Sequence, residues 1–239
     1  MGEMLYIGSC RYMKNFHWSF FPARLHTTKE MIFFFENIQN IKNIMKQYPN
    51  DILNRIFGDI THPDVIRDTQ DFLNKPIQKN TRKIILEVCS RKIYFYRNTI
   101  PVKWKKENNM KKNGITMKDL IKKYNLVYHE ITDEEIQQDL VYIKKLIKQI
   151  FNENIELHII PNINMKIKQT NEYIMKRKLL VESLEKICYE HDIGYHNVGK
   201  FIECNTTYNY LEDVMYNGGS QYCEESKSLV RTFLTKSIC

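Results

Sequence analysis

The stretch MLYIGSCR, residues 4–11, decides the fold that the sequence predicts. Its first four residues are apolar and lead into Gly8, a pattern typical of a short strand buried inside a parallel sheet. Three polar residues, Ser9, Cys10 and Arg11, follow the glycine directly. Because ligands of open α/β sheets bind beyond the carboxyl ends of the strands, we expect these three residues at a ligand-binding edge.

The same alternation of strand and helix signals continues along the chain. Short apolar runs predict further core strands at Lys83–Cys89, Ile155–Ile160 and Ile193–Val198. Between them, apolar residues recur at helical spacing. This order predicts a three-layer α/β/α sandwich with a mainly parallel sheet. Residues 92–130 depart from this alternation of strands and helices, because two strand-like runs there flank a Lys/Asn-rich stretch. This segment is predicted to be an insertion or lid.

Helix starts are marked by threonines followed by acidic residues. The runs Thr27–Glu30 and Thr132–Glu135 have the hydroxyl and carboxylate of a helix start, and the second helix should reach Phe151. A long helix is predicted over residues 171–191 and a last one over residues 224–238. Four residues of the long helix are expected to face the core: Leu179, Leu180, Leu184 and Ile187.

Length and composition favour one globular domain, residues 1–239. The 43% hydrophobic content is enough for a sizeable core. The net charge of +8 permits nucleic-acid binding, but the lysines are dispersed, and the abundance of Lys, Asn and Ile indicates an AT-rich genome. No signal peptide and no run of about eighteen apolar residues is found, so we expect a cytoplasmic protein without a membrane span.

The six cysteines form no CxxC pair, and the histidines form no HxH or HxxxH pair. A zinc site, and a metal site in general, is therefore not expected. A disulfide framework is also not expected in a chain of this size.

Residues 7–11, Ile-Gly-Ser-Cys-Arg, resemble the first block of the SGNH/GDSL hydrolase superfamily. The likeness is strongest to its branches with a Gly-Ser-Cys or Gly-Asn-Cys opening, the GSCFA-like and capsule-polysaccharide acyltransferase-like proteins. Later landmarks follow in a similar order: Phe21–Pro22, Leu25–Thr28, Glu87–Ser90 and Ile160–Asn162. The resemblance spans most of the chain and implies an SGNH/flavodoxin-like fold.

The resemblance also implies a nucleophile at the end of the first strand. Where the superfamily has Gly-Asp-Ser, this chain has Gly-Ser-Cys, so Cys10 aligns with the nucleophile and Ser9 is the alternative. The oxyanion donors would be the amide of Cys10, a residue of the Thr27–Thr28 pair, and Ser90. The late Asp-x-x-His block has its nearest counterpart in Asp213–Tyr216, where a tyrosine replaces the histidine.

A tyrosine, with an ordinary pKa of about 10, is a poor base at neutral pH. His26 is therefore the preferred base, because its loop should pass close to the end of the first strand, and His17 is second. A thiol, with an ordinary pKa of about 8.5, needs less help from a base than a serine does, and Arg11 beside it favours the thiolate.

The function implied by the resemblance is ester hydrolysis or O-acyl transfer on an acylated carbohydrate or similar small molecule. Arg11, Arg91 and Asn162 would bind the substrate, and the arginines could hold an anionic acyl carrier such as coenzyme A. No cofactor is otherwise required. Two alternatives remain: a catalytically degenerate SGNH-like domain that binds a ligand or protein, and a basic nucleic-acid-binding domain. The oligomeric state stays open.

Overall fold

The structure is a computed structural model that describes residues 3–8, 19–20, 25–40, 43, 46–49, 51–52, 81–103, 116–151, 153–216 and 221–238. The strands of this part are β1 (Glu3–Ile7), β2 (Ser19–Phe20), β3 (Thr81–Val88), β4 (Lys92–Tyr96), β5 (Ile100–Lys103), β6 (Val127–Glu130), β7 (Glu156–Pro161), β8 (Lys166–Ile167), β9 (Glu172–Tyr173), β10 (Gly194–Tyr195), β11 (Met215–Tyr216) and β12 (Gln221–Tyr222). Its helices are α1 (Thr28–Asn37), α2 (Met117–Tyr124), α3 (Asp133–Ile150), α4 (Met175–Glu190), α5 (Val198–Asn205), α6 (Leu211–Val214) and α7 (Glu224–Ile238), with a 3-10 helix at Ile38–Asn40.

The largest sheet has five strands in the order β10-β7-β3-β1-β2, and each neighbouring pair is parallel. β3 lies in the middle, and its residues Ile84, Ile85 and Leu86 are completely buried. Consecutive residues of a strand point to opposite faces, so both faces of β3 are covered and both need apolar side chains. This explains the unbroken apolar run in the sequence. The predicted α/β class with a mainly parallel sheet is confirmed.

The chain divides into two compact units. The first consists of Met1–Phe20, Asn80–Ser90 and Asn154–Cys239 and contains the five-stranded sheet. The second consists of Phe21–Lys79 and Arg91–Glu153. The predicted insertion at residues 92–130 falls within the second unit, and a single domain over the whole chain stays a prediction.

The core of the first unit joins the sheet to the helices near the end of the chain. Side chains of β1, β3 and β7 pack in one apolar cluster with side chains of α5, α6 and α7. Fully or almost fully buried members of this cluster are Tyr6, Ile85, Ile160, Ile202, Val214 and Leu234. None of the described helices is long and apolar enough to cross a bilayer.

The second unit contains a three-stranded antiparallel sheet, in the order β5-β4-β6, and the helices α1, α2 and α3. A buried polar contact joins α1 to α3: Asp139 accepts a 2.5 Å hydrogen bond from the Thr28 hydroxyl and one of 2.8 Å from Nζ of Lys29. A buried carboxylate is tolerated when it is paired in this way.

Helix starts are the most accurate local predictions. Thr27 caps α1 in a capping box with Glu30, and Thr132 caps α3 with Glu135. Each threonine hydroxyl accepts from the amide three residues later, and the acidic side chain accepts from the threonine amide. Both predicted starts are confirmed, since the signal lies within four consecutive residues.

Two predicted boundaries are wrong. The long helix begins at Met175 instead of residue 171, because β8 and β9 form an antiparallel hairpin over Lys166–Tyr173. Leu179, expected in the core, is 51% exposed, whereas Leu180, Leu184 and Ile187 are buried. The strand predicted to end at Val198 is only Gly194–Tyr195. The Oδ1 atom of Asn197 accepts from the amide of Lys200, 3.0 Å away, and starts α5 at Val198.

Two buried histidines form a pair across the sheet. Nδ1 of His158, on β7, lies 3.0 Å from Nε2 of His196, just after β10, and Nε2 of His158 lies 3.1 Å from Glu156. A Cβ on Gly194 would lie 2.2 Å from Nδ1 of His158, so glycine is required for this close approach. Burial lowers the pKa of both rings, and together with the nearby His158 and Lys83 it brings the pKa of His196 to about 4. The pair is therefore neutral at pH 7.

This pair should make the protein less stable in mild acid. An unfolded histidine takes up a proton near pH 6.5, whereas folded His196 does so only near pH 4. Neutral His196 therefore makes its full contribution to the free energy of unfolding above about pH 6.5. The contribution falls as the pH drops from there towards 4. We expect urea midpoints to decline from pH 7.5 to pH 5, and His196→Gln to reduce this decline. The control variant His191→Asn changes a histidine outside the pair, and its urea midpoint should decline as that of the wild type does. Equal declines in all three proteins would contradict the assignment.

Candidate functional site

The carboxyl ends of three neighbouring parallel strands place polar residues at one edge of the sheet. Gly8 follows β1, Ser90 lies two residues after β3, and Asn162 follows β7. β3 pairs with both β1 and β7, so the three ends are adjacent. Ser9, Cys10, Arg11 and His17, which the sequence predicts at or near this edge, lie outside the described residues.

Gly8 packs against a buried hydrogen bond between β1 and β3. The Tyr6 hydroxyl donates to Oε2 of Glu87 over 2.6 Å, and Glu87 is completely buried. A Cβ on Gly8 would lie 2.5 Å from the Glu87 Cβ and 2.6 Å from the Tyr6 oxygen. Gly8 does not adopt the left-handed conformation that favours glycine, so close approach is what requires glycine here.

The buried acid at the edge is a feature that the sequence reasoning missed. Glu87 stands in the run IILEV, residues 84–88, in which every residue is buried. A carboxyl group inside a predicted core strand must find a hydrogen-bond donor, because burying it alone is costly. An acidic residue within an apolar run is the signal in the sequence that could have revealed this contact. It does not identify Tyr6, which lies 81 residues earlier.

Asn162 ties the ends of β3 and β7 together. Its backbone amide donates to the carbonyl of Val88, 3.1 Å away, and its side-chain Nδ2 donates to the carbonyl of Cys89, 3.3 Å away. Asn162 is buried, and Ser90 beside it is partly exposed. The asparagine therefore holds the strand ends in place, while the serine remains accessible at the same edge.

The other predicted site residues of the described part belong to the second unit. The Thr27 hydroxyl is used in the cap of α1, where it contacts Glu30, and the His26 amide donates to the same carboxylate over 3.0 Å. Arg91 forms an ion pair with Asp133 and donates to the carbonyl of Ile131 over 3.4 Å. The structure thus gives Thr27 and Arg91 structural partners.

The late block that should supply a histidine is also built into the fold. Oδ2 of Asp213 accepts from the amide of Tyr210, 3.1 Å away, and so caps α6. Tyr216 lies on β11, which pairs with β12. Asp213 is therefore a capping residue.

The described cysteines have structural surroundings or lie on the surface. Cys188 is fully buried, and burial raises its pKa to about 12. The Cys223 sulfur lies 2.9 Å from the Ser226 hydroxyl, and Cys204 is exposed. Among the described residues, no group of three histidine, cysteine or acidic side chains is placed to hold a metal ion.

No protein-family model and no curated protein matches the sequence. Among solved structures, the chain is similar to a lipase/acylhydrolase from Enterococcus faecalis, with 11% identity, coverage of 100% of this chain and 95% of that chain, and a TM-score of 0.44. It is also similar to a catalytic mutant of an acetylxylan esterase from Geobacillus stearothermophilus. The identity there is 9%, the match covers 99% of this chain and 94% of that chain, and the TM-score is 0.45. A third similar structure is phospholipase A1 from Streptomyces albidoflavus NA297, with 9% identity, coverage of 99% of each chain and a TM-score of 0.38. The α/β class of this chain rests on its own strand order.

The bond between Tyr6 and Glu87 should contribute measurably to stability. Tyr6→Phe removes the buried donor and should lower the free energy of unfolding by about 1–3 kcal/mol. Urea unfolding followed by circular dichroism measures this loss. Adding Glu87→Leu to Tyr6→Phe should cost less than Glu87→Leu does alone, because the shared bond is then already lost. Strictly additive losses would show that the two side chains do not interact.

Proposed function

We propose that the chain is an SGNH-like acyl-transfer enzyme, an esterase or O-acyltransferase, with its nucleophile in the loop after β1. The observation that carries the proposal is the position of β1 in the sheet. β1 pairs with β3 on one side and β2 on the other, so its carboxyl end opens onto an interior position of the edge, next to the end of β3. Ser9 and Cys10 follow within two residues of Gly8.

The proposed reaction follows the order of nucleophilic catalysis. The Cys10 thiolate attacks the acyl carbon, and the Cys10 amide and Ser90 stabilise the oxyanion. His26, which has taken the proton of the Cys10 thiol, gives it to the leaving alcohol as the acyl C–O bond breaks, and a thioester to Cys10 remains. Water, or an acceptor hydroxyl, then attacks the thioester, loses its proton to His26 and releases the thiolate. Ser9 is the alternative nucleophile.

The substrate proposed is an acylated carbohydrate or similar small ester. Arg11 would hold an anionic group of the substrate or of an acyl carrier such as coenzyme A. Arg91 would have to share its guanidinium with Asp133, to which it is already paired. Asn162 would contribute indirectly, by holding the ends of β3 and β7 in place, because its side chain donates to the carbonyl of Cys89. Arg11 is therefore the better candidate for anion binding.

Single alanine variants test the nucleophile. On a panel of aryl acetates, acetylated sugars and acyl-coenzyme A thioesters, Cys10→Ala should lower kcat/KM by at least about 1,000-fold, because the covalent step is lost. Ser9→Ala should have a much smaller effect. Cys204→Ala, which changes an exposed cysteine, is the matched control and should leave activity unchanged. If Cys10→Ala and Ser9→Ala both keep full activity, the mechanism is wrong.

Alkylation rates test whether Cys10 is activated. At pH 7, iodoacetamide should modify Cys10 several times faster than exposed Cys204, because a thiolate reacts and Arg11 favours that form. Cys188 should be the slowest, since burial raises its pKa to about 12. Peptide mass spectrometry over a time course measures the three rates. Equal rates at Cys10 and Cys204 would argue against an activated thiol.

The alternative is a degenerate SGNH-like domain that binds a ligand without turnover. The capping role of Asp213 favours it, because the aspartate is bonded to the amide of Tyr210 and a tyrosine stands where the family's histidine is expected. If this alternative holds, the wild-type protein turns over none of the acyl substrates in the panel.

A further inference from the structure

A polar cleft of about 420 Å³ lies in the first unit, and none of its lining residues is assigned to acyl transfer. The hairpin β8–β9, helix α5 and the segment before α6 build it. Its lining residues are Lys166, Asn171, Tyr173, Glu203, Asn209 and Tyr210. The volume falls within the range of about 300–1,000 Å³ that is usual for small-molecule sites.

The walls of the cleft are joined by backbone contacts. Lys166 and Tyr210 form a parallel β-bridge, which links the hairpin to the segment before α6. The amide of Lys168 donates to the side chain of Glu212 over 3.0 Å and links the hairpin to α6 itself. Asn171 turns the hairpin with a φ of 55°, and its amide donates to the carbonyl of Ile167 over 2.8 Å. The cleft is therefore largely formed before any ligand binds.

The polar groups at the cleft are of mixed type. The Tyr173 hydroxyl donates to Oε1 of Glu203 over 3.2 Å. Burial raises the pKa of Glu203, although Tyr173 and Lys166 act in the opposite direction. Two asparagine amides and a second phenol, that of Tyr210, complete the lining. The cleft offers donors, acceptors and aromatic rings, with one charge of each sign.

This combination of groups restricts the ligand. A phosphate or sulfate would face the Glu203 carboxylate, and an organic cation would face Lys166. A purely apolar ligand would displace water from the amides and the carboxylate without replacing the hydrogen bonds of that water, which is costly. A neutral polyol satisfies all the groups, because each hydroxyl both donates and accepts. The C–H face of a sugar ring can also pack on a tyrosine.

We propose that this cleft binds a neutral sugar of one or two rings, held by Glu203, the asparagine amides and the tyrosine rings. The proposal stands apart from the acyl-transfer chemistry, since none of its residues is assigned to that site. Binding and turnover can therefore fail independently of each other.

The test measures binding of methyl glycosides and neutral disaccharides to the full chain. Saturation-transfer NMR detects the sugars that bind, and titration calorimetry measures Kd. Glu203→Ala and Asn209→Ala should each weaken binding by about tenfold or more, as expected for losing hydrogen bonds to a ligand. Asn209 is exposed, so its variant is expected to fold normally. Tyr189→Ala is the matched control, because Tyr189 is 90% exposed on α4 and does not line the cleft.

Three results would overturn the proposal. The first is no binding of any sugar at concentrations up to about 10 mM, the weak limit for a specific small ligand. The second is tighter binding of inorganic phosphate or glucuronate than of neutral sugars, which would make the cleft an anion site. The third is an equal loss in Tyr189→Ala and Asn209→Ala. The same measurements on Cys10→Ala separate the two proposals: binding should persist when turnover is lost.

Discussion

The hydrogen bond from Tyr6 to Glu87 is the contact on which the candidate site at the edge of the sheet depends. It joins β1 to the middle strand of the sheet and gives one oxygen of a completely buried carboxyl group a hydrogen-bond donor. Without such a donor, burial of Glu87 would carry a large desolvation cost. The pair also occupies the space above Gly8, so the chain can pass only without a side chain at that position. The path of the chain at Gly8, at the end of β1, is thereby fixed by close packing against this pair.

Much of the fold could be predicted because its signals are local. Capping boxes such as Thr132–Glu135 are complete within four residues, and α3 begins where the box predicts. The buried strands β3 and β7 follow from their apolar runs. The hairpin over Lys166–Tyr173 was missed because two-residue strands have no periodicity, and its partner at Tyr210 is distant in sequence. Local signals therefore locate long elements and miss short pairings.

The candidate site was less predictable, because its contacts join distant parts of the chain. The parallel order placed Gly8, Ser90 and Asn162 at one edge, since the ends of parallel neighbours coincide. The partner of Arg91 could not be foreseen: Asp133 belongs to the acidic first turn of α3, 42 residues later. A residue type at a strand end shows what chemistry is available. Its structural partner decides whether that chemistry is already used.

The proposed acyl transfer needs a nucleophile that can react without the late histidine that the resemblance implies. Thr27 caps α1 and Asp213 caps α6, so both of these residues, which the resemblance would place at the site, already have structural partners. A serine hydroxyl is a weak nucleophile unless a well-oriented histidine removes its proton. A thiol with a pKa of about 8.5 already supplies a few per cent thiolate at neutral pH, and a neighbouring arginine raises that fraction. Tyr216 stands where the resemblance would place the histidine, so on the proposed function Cys10 is a better candidate nucleophile than Ser9.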